Sequence, residues 1–210
     1  MTNSNPPSAP EALSAAANQF TFDWFSHNIP LWERFLLPYR IRPSRFLEVG
    51  VFEGRSTVWL LQQVLIHPES RLHYIDTFDA GSFWGMPEGE LHARFLRNVA
   101  PFADKVVGGK GTSQELLRLL PFGSFDFIYI DGSHDAADVL SDAVLAWPLL
   151  KTKGLLAFDD YEWTRESDPR LRPKLAIDAF LAVMSGRYSL LHKEYQVWIV
   201  KDQGFTNTDR

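Results

Sequence analysis

Residues 45–56 read RFLEVGVFEGRS. Arg45–Gly50 has the near-continuous apolar character of a strand buried on both faces, and the run from Ser56 to Ile66 has helical spacing. Two glycines sit between them. Gly50 permits a tight turn just past the strand, and Gly54 permits a ligand to approach the backbone where the helix starts. A strand, a glycine loop and a helix in that order open a βαβ unit, and this decides the fold class.

Outward from this stretch the alternation continues. Strands are expected over Leu72–Thr77, Lys105–Gly109, Phe125–Asp131 and Gly154–Asp159. Helices are expected over Gly89–Val99, Gln114–Leu120, Ala136–Leu150 and Leu175–Met184. Tyr188–His192 and Gln196–Lys201 alternate like an antiparallel pair. The expectation is an α/β fold, Rossmann-like and doubly wound. Its seven-stranded sheet is mostly parallel, with an antiparallel C-terminal strand pair and an N-terminal helical cap. Residues 11–43 form that cap, with helix over 11–40 and with Phe20, Phe22, Trp24, Phe25, Trp32 and Phe35 packed on the sheet. The main domain spans 44–203. Right-handed crossovers place every parallel strand's C-terminal end on one edge, where ligands of such sheets bind. Glu48, Gly50, Asp76, Asp131, Asp159 and Asp160 belong to that edge.

Composition narrows the function. The chain has 210 residues, 45% of them hydrophobic, enough for one domain with a full core. It contains no cysteine, which excludes disulfides and thiolate metal sites and fits a cytoplasmic location. Its net charge of -5, without a basic block, argues against nucleic acid. No apolar run reaches the roughly 18 residues of a membrane span. Residues 1–10, MTNSNPPSAP, have neither a positive region nor an apolar core, so they read as a disordered lead-in rather than a signal peptide. The tail over 204–210 reads as frayed. The aromatic N-terminal segment makes a homo-oligomer an open option.

The glycine loop departs from G-x-G-x-x-G because Phe52 stands where a middle glycine belongs. A pyrophosphate needs that close approach, so the loop suits a ligand without phosphates. Glu48 suits a cationic amino group. Asp76 ends the second strand 22 residues after Gly54, where an acid hydrogen-bonds ribose hydroxyls. Gly111, Thr112 and Ser113 follow the third strand and border an adenine edge. The alternative is that Gly50 and Gly54 only shape a turn.

Taken with the motifs FLEVGVFEGRST, YIDTF, KGTSQELL, FIYIDGSH and LLAFDDY, the sequence resembles the class I S-adenosylmethionine-dependent methyltransferases. More narrowly, it is similar to the macrocin-type small-molecule O-methyltransferases. The resemblance covers about residues 44–200. It implies that Glu48, Gly50 and Ser56 line the methionine and ribose end of the cofactor, that Asp76 grips the ribose, and that Ser113 lies near adenine. Gly54, Thr112 and Asp131 complete the expected cofactor set.

A second constellation carries chemistry. Asp131-Gly-Ser-His134 ends the fourth strand, and Asp159-Asp160-Tyr161 ends the fifth, 28 and 29 residues after Asp131. Neighbouring strands bring three carboxylates together, and their repulsion is relieved by a hard divalent cation such as Mg²⁺. The resemblance implies the same role for Asp131, Asp159 and Asp160. The alternative is that Asp131 and Ser133 cap the next helix while the acidic pair lies in a solvated turn. His134 is the expected base for a hydroxyl, again as the resemblance implies. Asp135 is either its helper or a favourable first-turn charge. Phe83, Trp84 and Met86 suit a lid, and Tyr161 and Trp163 suit a wall of the acceptor pocket. The remaining histidines read as structural or exposed.

The expected function is a Mg²⁺-assisted O-methyltransferase acting on a small hydroxylated acceptor, a sugar or natural product. The alternatives are a metal-independent methyltransferase, an NAD-dependent oxidoreductase, and a non-catalytic binding module. Phe52 and the lack of a Tyr-x-x-x-Lys relay disfavour the oxidoreductase, and the acidic cluster disfavours the module. A non-haem iron oxygenase needs two histidines and a carboxylate, and this cleft offers only His134.

Overall fold

The computed structural model describes residues 18–202. The expected lead-in, the tail over 204–210 and the cap residues 11–17 lie outside them. Among the described residues seven strands form one sheet in the order β3-β2-β1-β4-β5-β7-β6. The strands are β1 (Arg45–Val49), β2 (Arg71–Asp76), β3 (Val106–Lys110), β4 (Phe125–Ile130), β5 (Leu150–Phe158), β6 (Tyr188–Lys193) and β7 (Val197–Lys201). The first five are parallel, and β7 runs antiparallel between β5 and β6. The helices are α1 (Ile29–Leu36), α2 (Arg55–Gln63), α3 (Ala80–Phe83), α4 (Glu90–Val99), α5 (Ser113–Leu116), α6 (Ala136–Ala146) and α7 (Pro173–Val183).

Strand periodicity builds the two layers of core. Leu47, Val49, Ile128 and Ile130 point to one face and pack with Val139 and Ala143 of α6 and Ile177 and Phe180 of α7. Phe46, Phe127, Tyr129 and Trp198 point to the other and pack with Trp32 of α1 and Val58 and Leu61 of α2. All six residues of β4 are buried, as befits a central strand covered on both faces. In α4, Leu91, Phe95 and Val99 fall at helical spacing on its buried side. Among the described residues no helix is long and apolar enough to cross a membrane.

Several boundaries differ from expectation: the helix after β1 ends at Gln63, and the one expected over Gln114–Leu120 is α only to Leu116. Three further differences have a local reason. The long helix expected over 11–40 is only α1, flanked by 3-10 turns at Ser26–Asn28 and Leu37–Ile41, and Asn18–Phe25 is a non-helical strap. The strap's N–H groups bond to side chains rather than to helix carbonyls: Gln19 N donates to Asn98 Oδ1 at 2.9 Å and Thr21 N to Glu53 Oε2 at 2.6 Å. Asp23 Oδ1 accepts the Ser26 N–H at 2.9 Å and turns the chain into α1. The helix expected to reach Leu150 ends at Ala146 and tightens into a 3-10 turn over Trp147–Leu149, since Pro148 lacks the N–H that α-helix requires. Finally, β5 begins at Leu150 rather than Gly154, and its register against β4 shifts between Phe125 and Phe127.

The topology reverses between β1 and β4. The chain leaves β1 toward β2 and β3, then returns to β4 on the far side. That crevice is where an open α/β sheet accepts a ligand.

Candidate active site

Backbone hydrogen bonds extend the ladder past the strand ends. Gly111 N donates to Asp76 O at 2.9 Å, Gly50 N to Ile75 O at 2.8 Å, Asp131 N to Val49 O at 2.8 Å and Asp159 N to Ile130 O at 3.0 Å. These bonds align the termini of β3, β2, β1, β4 and β5 on one edge. Gly50, Asp76, Asp131 and Asp159 therefore share that edge, and Thr112–Ser113 and His134 follow within three residues of it.

Gly50 has φ 84°, and a β-carbon there would stand 2.0 Å from the Asp131 carbonyl oxygen. Only glycine lets the β1 loop close against β4. Gly54 also has a left-handed φ of 83°, but a β-carbon there would meet the Phe95 ring at 2.8 Å. Gly54 is buried at the start of α2. Helix packing against α4 thus accounts for this glycine, rather than the ligand approach expected.

Asp76 organises the loop. Its Oδ2 accepts the N–H groups of Val51 at 2.7 Å and Phe52 at 3.0 Å, and its Oδ1 accepts that of Phe78 at 2.5 Å. Phe52 and Phe78 both hold left-handed backbones, at φ 49° and 56°, which bulky residues adopt only under constraint. The carboxylate has acceptor capacity beyond these three bonds.

Glu48 lies lower than expected. It is fully buried beneath the loop, where the Thr57 hydroxyl donates to its Oε2 at 2.6 Å. Its Oε1 is buried without a partner. Burial pushes its carboxyl up to about 7, against the opposing pull of Thr57 and Ser56. An orphaned buried acceptor below the loop fits a donor group arriving from a ligand. Beyond β3, the Thr112 hydroxyl is engaged by Glu115 at 2.8 Å, and Ser113 opens α5 beside the buried Asp142.

Asp131, Ser133, His134, Asp159, Asp160 and Pro173 line one small pocket. His134 Nε2 lies 2.8 Å from Asp160 Oδ2, and the Trp163 ring meets the imidazole edge-on at 4.4 Å. The Tyr195 hydroxyl donates to Asp160 Oδ1 at 2.7 Å. The Tyr129 hydroxyl donates to Asp159 Oδ2, as does Gln196 Nε2 at 3.2 Å. Desolvation by the surrounding protein, then the charges of Asp159 and Asp160, push the Asp131 carboxyl well above the usual range. Asp131 is nevertheless exposed to solvent, so the charges of Asp159 and Asp160 are the firmer cause of that rise. Burial and the neighbouring Asp160 raise Asp159 in the same direction.

As donors, these mutually repelling oxygens suit a hard cation. Among the described residues no three His, Asp or Glu side chains are drawn together as a ready-made cage. Asp135 caps α6, accepting the Ala137 N–H at 2.8 Å, which accounts for its charge without a helper role. Tyr161, expected as a pocket wall, is buried instead, and its hydroxyl donates to Asp178 at 2.9 Å.

Nothing in the sequence singled out Tyr129, Gln196 or Tyr195 as part of the site, and the strap's aromatics suggested a helix face rather than an extended segment. Tyr129 was hidden in an apolar strand, and only its hydroxyl one residue before Ile130-Asp131 hinted at a role. The strap stacks Phe22 on Trp24 at 4.9 Å, with Phe52 of the loop 5.1 Å from Trp24 and Trp84 4.7 Å from Phe22. Phe83 projects beside them, 82% exposed.

The model of a family described as a methyltransferase domain matches residues 47–161, more than half of the chain. The chain belongs to that family. This methyltransferase-domain chain is 27% identical over 151 residues to the uncharacterized protein R132 of Acanthamoeba polyphaga mimivirus, covering 69% of this chain and 62% of that protein. It therefore spans less than two thirds of that relative. Among solved structures, the O-methyltransferase TomG of Streptomyces achromogenes, in complex with SAM, matches with TM-score 0.62 and 18% identity, over 83% of this chain and 80% of that one. The mycinamycin-pathway methyltransferase MycE, in complex with Mg, SAH and mycinamycin VI, matches with TM-score 0.60 and 18% identity, over 90% of this chain and 53% of that one. A Corynebacterium glutamicum protein matches with TM-score 0.64 and 14% identity, over 85% and 82%. At these identities the likeness is one of fold: a Rossmann-like sheet of seven strands shared with these methyltransferase structures.

Proposed function

We propose that the chain moves a methyl group from S-adenosylmethionine to a hydroxyl of a small molecule, a sugar or natural product, with Mg²⁺ assisting. The observation that carries this reading is the division of the sheet edge. The glycine loop and Asp76 lie on one side of the switch point, and Asp131, His134, Asp159 and Asp160 lie on the other. A donor laid along that edge has its methionine end at Gly50–Ser56, its ribose at Asp76 and its adenine beside Thr112 and Ser113. The unpartnered Oε1 of Glu48 suits its amino group. The cofactor and cation named with TomG and MycE support the same choice of ligands.

The reaction is a displacement. A lone pair of the acceptor oxygen forms the new O–CH₃ bond, the S–CH₃ pair returns to sulfur, and the hydroxyl proton leaves to a base. His134 is that base. With Nε2 engaged by Asp160, the imidazole's free lone pair is on Nδ1, which takes the proton, and Asp160 stabilises the resulting imidazolium. A Mg²⁺ held by Asp131, Asp159 and Asp160 would supply Lewis acidity toward the hydroxyl. The loop and Asp76 contribute by fixing the donor's position.

A metal-independent transfer is the second reading. It is favoured by the protein donors that already engage Asp159 and Asp160. Release of S-adenosylhomocysteine across a panel of hydroxylated acceptors, with Mg²⁺ or with EDTA, separates the two. Acceptor-dependent release that falls at least tenfold in EDTA supports the first, and release untouched by EDTA supports the second. No release with any acceptor, together with NAD reduction, would replace both with an oxidoreductase.

A further inference from the structure

Gln196 precedes β7 and is 1% exposed, inside the aromatic layer that joins α1 to the sheet. Its Oε1 accepts two indole N–H groups, from Trp32 of α1 and Trp198 of β7, each at 3.0 Å. An indole nitrogen can only donate, so the two rings fix which way the amide points. The NH₂ end must face the strand termini. There it donates to Asp159 Oδ2 at 3.2 Å and to the Tyr129 hydroxyl at 3.3 Å. Tyr129 in turn donates to the same carboxylate oxygen, and Asp159 Oδ1 accepts the Asp160 N–H at 2.8 Å. Both ends of the Gln196 amide are engaged, and Asp159 is gripped by neutral donors in one orientation.

A carboxamide buried among aromatic rings costs free energy unless it is fully paired. Here the pairing links two otherwise separate things: the docking of α1 through Trp32, and the orientation of one carboxylate at the pocket. We infer that Gln196 is a positioning residue, relaying the placement of Trp32 and Trp198 to Asp159 and presetting that carboxylate for the divalent cation. This rests on the cation reading above. It also gives the N-terminal segment a part in the site, although α1 contributes no residue to the pocket.

The test uses the whole chain with S-adenosylhomocysteine bound, and Mg²⁺ as the probe. Calorimetry measures Mg²⁺ affinity in the wild type, Gln196→Met and Trp198→Phe. Amide spectra follow the indole N–H signals, seven of which are expected from the seven tryptophans. Trp32→Phe and Trp198→Phe assign the two of interest. The relay predicts that Mg²⁺ moves both signals in the wild type. It also predicts that Gln196→Met weakens Mg²⁺ at least tenfold while S-adenosylhomocysteine affinity stays within twofold. Trp198→Phe keeps the Trp32 anchor and should lose a smaller factor, about threefold. If Gln196→Met does not fold, the two indole signals and Trp198→Phe decide. Equal Mg²⁺ affinity in the folded variants with unmoved indole signals would overturn the relay and leave the cation reading standing. Absence of Mg²⁺ binding to the wild type would overturn the cation reading, and the relay with it.

Discussion

The N–H of Phe52, held at φ 49°, donates to Asp76 Oδ2 at 3.0 Å. One carboxylate at the end of β2 thereby holds an unfavourable backbone in the loop after β1. Left-handed bulky residues cost on the order of 1–3 kcal/mol each, so the loop keeps this shape only while its partner is present. Asp76→Ala should release Val51, Phe52 and Phe78 together. We expect stability to fall by about 2–4 kcal/mol in urea denaturation and S-adenosylmethionine affinity to fall at least tenfold by calorimetry. An affinity within twofold of wild type would remove Asp76 from the proposed cofactor site.

Two glycines with left-handed backbones should respond differently to alanine. At Gly50 the added carbon would lie 2.0 Å from the Asp131 carbonyl, whereas at Gly85, with φ 70°, nothing lies within 4 Å. Gly85→Ala should cost about 1 kcal/mol from its backbone alone. Gly50→Ala should cost several kcal/mol or prevent folding, because the β1 and β4 termini must separate. Equal losses in thermal denaturation would contradict the close approach at the switch point.

Much of this arrangement was legible in the sequence. RFLEVG, FDFIYID and GLLAFD announce buried parallel strands by their near-continuous apolar runs, and all three are strands ending at the site edge. Periodicity could not reveal the strap, because Phe22, Trp24 and Phe25 look like a helix face until Asn98 and Glu53 are seen to take the N–H groups of Gln19 and Thr21. Nor could it reveal Gln196, whose partners Trp32 and Asp159 are 164 and 37 residues away in the chain. Gly54 shows the opposite limit: its need for glycine was evident, but the cause, the Phe95 ring, depends on how α4 packs.

His134 is the residue whose loss should touch chemistry alone. His134→Ala should lower turnover by roughly 10²–10⁴-fold, the usual worth of a positioned base, with S-adenosylmethionine affinity unchanged. Turnover within a few-fold of wild type would return the His134–Asp160 pair to a structural role.

Glu48 makes a pH prediction whose sign follows from linkage. Its carboxyl is raised by burial from 4.5 to about 7, so the folded chain retains a proton that the unfolded chain has lost. The contribution is fully present below pH 4.5 and is lost as pH rises through about 7. Urea denaturation at pH 5 and pH 8 should therefore show a decline that is smaller in Glu48→Gln. The difference should be no more than about 3 kcal/mol. A decline equal to that of the wild type would mean that Glu48 is charged inside the fold, or solvated.

The most direct test of the central claim is calorimetric titration of the wild-type chain with S-adenosylmethionine, S-adenosylhomocysteine and NAD. Saturable one-to-one binding of both adenosyl ligands is expected, weakened by Asp76→Ala and unaffected by His134→Ala, with no binding of NAD. Binding of NAD, with neither adenosyl ligand bound at millimolar concentration, would contradict it.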